Sequence, residues 1–305
     1  MKSSSANRLS EFSLELANLV GRCAQGVVAI RPGTARSISG IVWRQGLVVT
    51  AVEALDEDPP SLHVTSATAT EQEARLLGRD PTTDVALLSV DGLLDPAFPV
   101  VGAESLRPGE VALALGRSPE HGAIVALGSV AVAGGLWHSQ LGGRIDRYIR
   151  LSASLSPATE GGAVLDVHGR LVGMAVSGPR RTSLVIPSET IGRVVDQLMT
   201  KGRVNRGYLG VVMQPVRLPE ALRKVANSEV GLLVSGVDPG SSAAQAGVLL
   251  GDVIVAWNGE PVRDYRQVQT LLGPENVGSS VVLGAVRGGV LMDIRLSVGE
   301  RPALE

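Results

Sequence analysis

Short apolar runs alternate with turn signals along the first two thirds of the chain. One set of runs extends from residue 26 to about residue 101, and a second set with similar spacing extends from residue 110 to residue 185. Runs of this length, rich in β-branched residues and bounded by Gly, Pro, Asn or Asp, are typical of β-strands. Two successive groups of about six short strands predict two packed antiparallel barrels.

Helical periodicity is confined to a few segments. The apolar positions between residues 9 and 20 predict a short, partly amphipathic helix. We expect it to dock on its own chain, and a partner subunit is the alternative. A second helix is predicted over residues 188–201, with Ser188 as its N-cap and Gly202 just past its end.

The last third of the chain follows another pattern. After a polar hinge at residues 202–206, a strand, a Pro-Gly turn, a short Ala-rich helix, a second strand and an Asn-Gly turn follow in order. A further helix is predicted over residues 264–272. The chain therefore divides into an N-terminal segment (1–24), a double-barrel domain (25–201) and a small α+β domain (203–301).

Composition narrows the function classes. The 305 residues are 44% hydrophobic and 19% charged, which excludes extended disorder and allows more than one core. A net charge of -2 without any Lys/Arg run argues against a nucleic-acid partner. The one cysteine, Cys23, cannot form a disulfide within the chain. With no apolar run of signal-peptide or membrane-spanning length, we expect a cytoplasmic location and no transmembrane segment.

Two stretches resemble a known family. The first, Pro157-Ala158-Thr159-Glu160-Gly161-Gly162, lies between two β-type runs, and Asp84 lies in a Thr-Thr-Asp-Val-Ala-Leu-Leu segment. The second combines Gly-Asp-Val-Ile at 251–254 with Asn-Gly at 258–259. Over roughly residues 24–298 the chain resembles the HtrA/Deg family of serine proteases. The resemblance implies a mainly β fold, with a trypsin-like double antiparallel β-barrel followed by a PDZ domain, and no cofactor.

The chain departs from this family where chemistry would occur. Asp84 matches the family's catalytic Asp, but Glu53 stands at the position of the catalytic His and Glu160 at that of the nucleophilic Ser. Ala158 replaces a Gly whose N–H stabilises the oxyanion. A serine nucleophile needs a hydroxyl and an imidazole that takes its proton. We therefore expect no functioning catalytic residue and a pseudoprotease.

Three hypotheses remain for the acidic positions. The first is that Glu53 and Glu160 turn outward to solvent without a role, and we favour it. The second is a cation site formed by Glu53, Asp84 and Glu160, because carboxylate oxygens are ligands for hard cations. The third is an acid pair that shares a proton and activates water. An active serine endopeptidase, or a hydrolase using such an unconventional carboxylate site, is thus the alternative function.

The PDZ-like region keeps the residues that its function needs. The run Arg206-Gly207-Tyr208-Leu209-Gly210-Val211 resembles the family's loop that holds a peptide's C-terminal carboxylate. The resemblance implies peptide binding by Tyr208, Leu209, Gly210 and Val211, with Val268 lining an apolar pocket. It also implies peptide or protein ligands in a scaffolding, regulatory or quality-control role. Expected partners are further copies of the chain, as in family trimers, or an active relative.

Overall fold

A computed structural model of the protein describes residues 3–33, 36–55, 61–92, 98–103 and 106–302. The helices within these residues are, in chain order, α1 (Ser3–Cys23), α2 (Ser188–Lys201), α3 (Glu220–Ala226), α4 (Ser242–Gln245) and α5 (Tyr265–Leu271). Short 3-10 turns cover Ala24–Gly26, Pro157–Thr159, Pro179–Arg181 and Pro274–Asn276.

Six strands form the first barrel: β1 (Val27–Pro32), β2 (Ile38–Arg44), β3 (Leu47–Thr50), β4 (Leu62–Thr65), β5 (Glu71–Asp80) and β6 (Val85–Val90). The barrel closes antiparallel in the order β1-β2-β3-β6-β5-β4. The next strands are β7 (Val111–Ser118), β8 (Gly122–Ala133), β9 (Trp137–His138), β10 (Arg144–Ile145), β11 (Ile149–Leu151), β12 (Ala163–Leu165), β13 (Leu171–Gly178) and β14 (Thr182–Pro187). Six of them close a second barrel in the order β11-β14-β13-β12-β7-β8. The predicted double antiparallel barrel is confirmed.

The remaining strands belong to the small domain: β15 (Gly207–Tyr208), β16 (Val211–Arg217), β17 (Val230–Val237), β18 (Val253–Trp257), β19 (Glu260–Pro261), β20 (Ser280–Arg287), β21 (Val290–Ser297) and β22 (Gly299–Glu300). Its main sheet has the order β16-β17-β18-β20-β21, with β19 paired to β18. Strands β15 and β22 form a separate two-stranded sheet. Strand β16 is therefore an edge strand of the main sheet.

The barrels obtain their cores from the two-residue period of their strands. In β1, Val28 and Ile30 face the interior of the first barrel, whereas Val27 faces a cluster that also holds Leu113 and Leu115 of β7. Both faces of such a strand are buried, so its sequence reads as a continuous apolar run. This explains why the runs rather than strict alternation marked the strands in the sequence.

The predicted helices form. Helix α1 (Ser3–Cys23) is longer than the predicted range of residues 9–20, whereas α2 and α5 differ little from theirs. Helix α2 begins at Ser188, so its N-cap is not Ser188 as predicted but Pro187, whose backbone is extended. The Ser188 hydroxyl donates to the carbonyl of Val101 at 2.7 Å. Gly202 ends this helix in the left-handed conformation, with φ 68°, as predicted. Asp264 is the N-cap of α5, and its carboxylate accepts the N–H of Gln267 at 2.8 Å.

The chain forms two compact units. The first comprises the residues up to Trp137 together with Ile145–Val204, and the second comprises His138–Arg144 together with the residues from Asn205 onward. Within the second unit, Gly142 packs on α5: a Cβ at this glycine would lie 2.9 Å from Cβ of Gln269. Residues 138–144 lie inside the predicted double-barrel domain (25–201), so their place in the second unit was not predicted.

Candidate functional site

Asp84 occupies a fixed turn at the start of β6. The side chains of Thr82 and Thr83 donate to the buried carboxylate of Asp80 at 2.6 and 2.7 Å, which orders the turn. Asp84 itself adopts a left-handed conformation with φ 58°, which is uncommon outside glycine. Its Oδ1 accepts the backbone N–H of Glu53 at 2.8 Å. The family's Asp position thus binds the main chain of the position where the family has His.

The carboxyl of Asp84 is poorly suited to ionise. Burial raises its pKa to about 7, and although the N–H of Glu53 opposes this, the negative charges of Glu53 and Glu160 add to it. Loss of solvation and like charge both penalise an anion. The Glu53 side chain is exposed, in a turn that follows β3. Glu53 therefore acts on Asp84 through its main chain and its charge.

Glu160 is held by hydrogen bonds and does not point freely into solvent. Its Oε1 accepts the N–H of Ser177 at 3.0 Å, and its Oε2 accepts the Ser177 hydroxyl at 3.2 Å. Its carbonyl accepts the N–H of Ser39 at 2.9 Å. The next residue, Gly161, has φ 77°, and a Cβ there would lie 2.4 Å from the carbonyl oxygen of Ser39. The carboxylate of Glu160 is therefore bound to β13, a contact that was not predicted. That Glu160 has no role stays a prediction.

The contact with Ser177 continues a strand ladder. At Ala175 the edge of β13 pairs with the main chain of the loop. The N–H of Gly161 donates to the carbonyl of Ala175 at 2.9 Å, and the N–H of Ala175 donates to the carbonyl of Gly162 at 2.8 Å. Two residues further along the same edge, Ser177 meets the Glu160 carboxylate instead of a further backbone group. The side chain of Glu160 thus caps the β13 edge where the main-chain pairing ends.

The loop before Glu160 is folded onto itself. The N–H of Glu160 donates to the carbonyl of Pro157 at 3.3 Å, and the N–H of Thr159 donates to Ser156 at 2.9 Å. The carbonyl of Ala158 accepts the Ser39 hydroxyl at 2.6 Å. An oxyanion hole needs amide hydrogens directed at the developing charge. The Glu160 amide is instead used inside the loop.

The acidic positions do not form a metal site in the described part of the chain. No group of three or more His, Cys, Asp or Glu residues is arranged there to hold an ion. The four histidines lie on β4 (His63), in the β7–β8 turn (His121), on β9 (His138) and in the β12–β13 turn (His168). None of them is hydrogen-bonded to Asp84 in the described residues. The structure thus gives the cation hypothesis no donor set.

The predicted carboxylate-binding loop has a different geometry. Gly210 has φ 77°, and a Cβ at this position would lie 2.1 Å from Cβ of Ser241, so no other residue fits without displacement. The carbonyl of Leu209 accepts the N–H of Ala243 at 3.0 Å, and that of Gly210 accepts the N–H of Asp238 at 2.8 Å. No acceptor within the described residues takes the N–H groups of Leu209 and Gly210. Both amides are available to a ligand anion.

Tyr208 and Asp238 join the two sides of this loop. The Tyr208 hydroxyl donates to the Asp238 carboxylate, and this hydrogen bond raises the pKa of Tyr208 above its usual value. Ser241, on the same turn, caps α4 by accepting the N–H of Ala244 at 3.2 Å. The sequence predicted the Pro-Gly turn and the short helix after it, but neither this cap nor the contact between Tyr208 and Asp238.

The apolar residues predicted for the pocket belong to one cluster. Leu209 and Val268 are 2% and 1% exposed, and Val211, Leu271 and Leu272 are partly buried against them. The predicted residues thus lie together, but Leu209 and Val268 are buried beneath the surface and do not line an open pocket. A ligand side chain would meet the partly buried members beside edge strand β16.

Family models match both parts of the chain. The model of the trypsin-like peptidase domain matches residues 38–174, and that of the PDZ domain matches residues 233–287. A probable periplasmic serine endoprotease, DegP-like, of Chlamydia trachomatis serovar D is 32% identical over 274 residues, covering 88% of this chain and 54% of the relative. The chain belongs to the HtrA/DegP family. Its predicted PDZ domain is confirmed.

Other relatives agree with this assignment. The periplasmic serine endoprotease DegP of Escherichia coli K12 is 29% identical over 234 residues, covering 74% of this chain and 49% of the relative. The solved HtrA-type protease AlgW with a decapeptide has a TM-score of 0.72 and 25% identity, with 94% of this chain and 99% of that chain covered. AlgW with a tripeptide has a TM-score of 0.68 and 27% identity, with 94% and 98% covered. The chain spans about half the length of the curated relatives.

The relatives correct the expected location. Those of Chlamydia, Escherichia and Brucella are named periplasmic, which contradicts the expectation of a cytoplasmic location. That expectation was wrong because apolar runs and a lone cysteine describe the chemistry of a chain rather than its compartment. None of the helices in the described residues has the length and apolar content of a membrane span.

Proposed function

We propose that this HtrA/DegP homologue does not hydrolyse peptides by the family mechanism and binds peptide C-termini or unfolded segments through its PDZ domain. It would act as a scaffolding, regulatory or quality-control protein. The observation that carries the proposal is the pair of available amides at Leu209 and Gly210 beside the free edge of β16. Capture of a carboxylate by backbone N–H groups, with strand addition at a sheet edge, is a known mode of peptide recognition.

The cleft supports the inactive part of the proposal. Hydrolysis of a peptide by the family mechanism needs a nucleophile, a base and an oxyanion hole. Here Glu160 supplies no hydroxyl, its N–H is turned into its own loop, and its carboxylate occupies the β13 edge at Ser177. Asp84 binds the N–H of Glu53 instead of an imidazole.

Peptide pairs that differ only at the C-terminus test the binding. A fluorescent peptide library varied at its last three residues is titrated with the full chain, and the best binder is remade with an amidated terminus. We expect amidation to weaken binding at least tenfold, because a neutral amide cannot use the Leu209 and Gly210 amides as an anion does. Equal affinity of both forms, or no binder in the library, contradicts the proposal.

An active endopeptidase is the second candidate function, either by serine chemistry or by the carboxylates. The relatives are named serine endoproteases, and a pKa of about 7 at Asp84 lies in the range of a general acid or base near neutral pH. Carboxylate catalysis predicts that Asp84→Asn abolishes cleavage of an unfolded substrate. Labelling by a fluorophosphonate reports an activated hydroxyl instead.

We further propose a periplasmic location and assembly into a homo-oligomer such as a trimer, or with an active homologue. The names of the relatives support the location. Helix α1 supports assembly, because Leu9 and Phe12 on it are 72% and 45% exposed. Sedimentation of the full chain and of Phe12→Ser checks this point: a smaller species is expected for the variant.

A further inference from the structure

Strand β8 is longer than the partner that closes the barrel against it. Along one edge it pairs with β7 from Gly122 to Ser129. Along the other edge β11 reaches only the last part of the strand, from Val130 to Ala133. The segment from Gly122 to Leu127 therefore has one strand neighbour.

The free edge can be assigned residue by residue. Val130 N–H donates to Glu110 at 2.8 Å, so the even-numbered positions of β8 bond toward β7. Ser129 bonds in the opposite direction, because the N–H of Ser152 donates to its carbonyl at 2.9 Å and its own N–H donates to Ser152 Oγ at 2.9 Å. By the same period, the backbone groups of Leu127 and Val125 point outward.

These outward groups lack partners in the described residues. No described segment accepts from the N–H groups of Ala123, Val125 and Leu127 or donates to their carbonyl groups. Their side chains are exposed, with Val125 and Leu127 at 39% and 48%. Exposed apolar side chains at every second position, on a strand with an open ladder, match what an added strand requires.

The usual protection of such an edge is missing. No charged residue and no proline lies between Gly122 and Gly135, and the pairing with β7 runs without a bulge from Gly122 to Ser129. Natural sheets protect exposed edges with charge, proline or bulges, because unpaired strands recruit other chains. Its lack of charge makes this edge complementary to an uncharged segment.

We propose that the β8 edge, from Ala123 to Leu127, binds an extended, uncharged aliphatic polypeptide segment as an added strand. This site lies outside the PDZ domain and needs no C-terminal carboxylate. A second copy of the chain is the less suitable occupant. Two barrels that met along so short an edge would bury far less than the roughly 800 Å² per partner of stable interfaces. An unfolded segment can pair with the outward N–H and carbonyl groups of β8 through its backbone alone.

A blocked peptide tests this site in the full chain. The probe is a fluorescent decapeptide of alternating Thr and Val, acetylated and amidated so that it has no terminal charge for the PDZ loop. We expect binding, with slower hydrogen exchange at the amides of Ala123, Val125 and Leu127. Val125→Pro should weaken binding at least tenfold, because the lost N–H faces outward and no bond to β7 is removed.

Two further variants guard against misfolding and surface effects. Val125→Lys keeps the backbone and should also weaken binding at least tenfold by placing a charge beside the added strand. Val100→Lys makes the same change at a valine that is 52% exposed elsewhere and should leave binding unchanged. Unaltered binding by both Val125 variants, or no binding by the wild type, overturns the proposal while leaving carboxylate capture untouched. Protection that rises with protein concentration without peptide assigns the edge to a second copy and also overturns it.

Discussion

Two glycine-containing loops of this protein could present amide hydrogens to a negative charge, and they do so differently. In the barrel domain, the loop ending at Glu160 uses its own N–H internally and fixes a carboxylate on β13. In the PDZ domain, the loop at Leu209 and Gly210 binds its carbonyls to the neighbouring turn and leaves its N–H groups available. Loop sequence alone therefore does not define an anion site. The direction of the amides, set by what the carbonyls bind, decides it.

Gly210→Ala should produce the largest effect. The new Cβ would lie 2.1 Å from Ser241 Cβ in a backbone conformation with φ 77°. We expect peptide binding to fall more than tenfold and the free energy of unfolding to fall by roughly 2–4 kcal/mol, from backbone strain plus overpacking. Fluorescence anisotropy and urea unfolding measure the two effects.

Gly240→Ala is the matched control for this change. Gly240 has φ 75°, but no atom lies within 4 Å of its would-be Cβ. Only the strain of about 1–2 kcal/mol should remain, with binding close to wild type. If both variants bind equally well, the PDZ loop does not hold the ligand.

The pH dependence of stability should report on Asp84. Its pKa is about 7 in the folded chain and about 3.9 when unfolded, so the folded state holds the extra proton between these values. The contribution of Asp84 is fully present below about pH 4 and is lost as pH rises through 7. In Asp84→Asn the free energy of unfolding should fall less between pH 4 and pH 8 than in wild type, by at most about 4 kcal/mol.

Urea unfolding of wild type and Asp84→Asn from pH 4 to pH 8 measures the difference. Asn tolerates the left-handed backbone and keeps an acceptor for the Glu53 N–H, so the fold is preserved. Glu53→Gln and Glu160→Gln should each lower the pH at which half of this stability is lost, because each removes a negative charge that raises the pKa of Asp84. Parallel profiles for wild type and Asp84→Asn would show that Asp84 titrates at an ordinary pKa.

Glu160→Ala should have the smallest effect on stability. It removes the two hydrogen bonds to Ser177 near an exposed strand end, at a cost of about 1 kcal/mol. The amide of Ser177 should exchange faster with solvent, whereas Glu160→Gln retains an acceptor and should exchange at an intermediate rate. Unchanged exchange in Glu160→Ala would mean that the carboxylate does not cap the β13 edge.

The sequence predicted those features that depend on neighbours along the chain. Buried strands read as apolar runs, and Gly202 and Asp264 marked helix ends. The bond between Glu160 and Ser177 could not be predicted, because it depends on the register of β13 beside a loop 17 residues away. The bond between Tyr208 and Asp238 likewise spans 30 residues.

The open edge of β8 could not be predicted from the sequence either. The apolar runs between residues 110 and 185 predicted strands, but nothing in them showed that β11 would stop at Val130. Residues 138–144 belong to the second unit through packing as well. Gly142 can lie this close to α5 because it has no Cβ.

Proteolysis by the full wild-type chain tests the central claim most directly. Unfolded casein is incubated with wild type, Glu160→Ser and the double variant Glu53→His with Glu160→Ser, using protein already shown to bind a C-terminal peptide, and a fluorophosphonate probe monitors any activated hydroxyl. We expect neither cleavage nor labelling for wild type, which has no hydroxyl at position 160, or for Glu160→Ser, whose hydroxyl has no imidazole to activate it. Recovery of family chemistry should need at least both changes in the double variant. Cleavage by wild type that Glu160→Ala abolishes, or robust cleavage by Glu160→Ser alone, would contradict it.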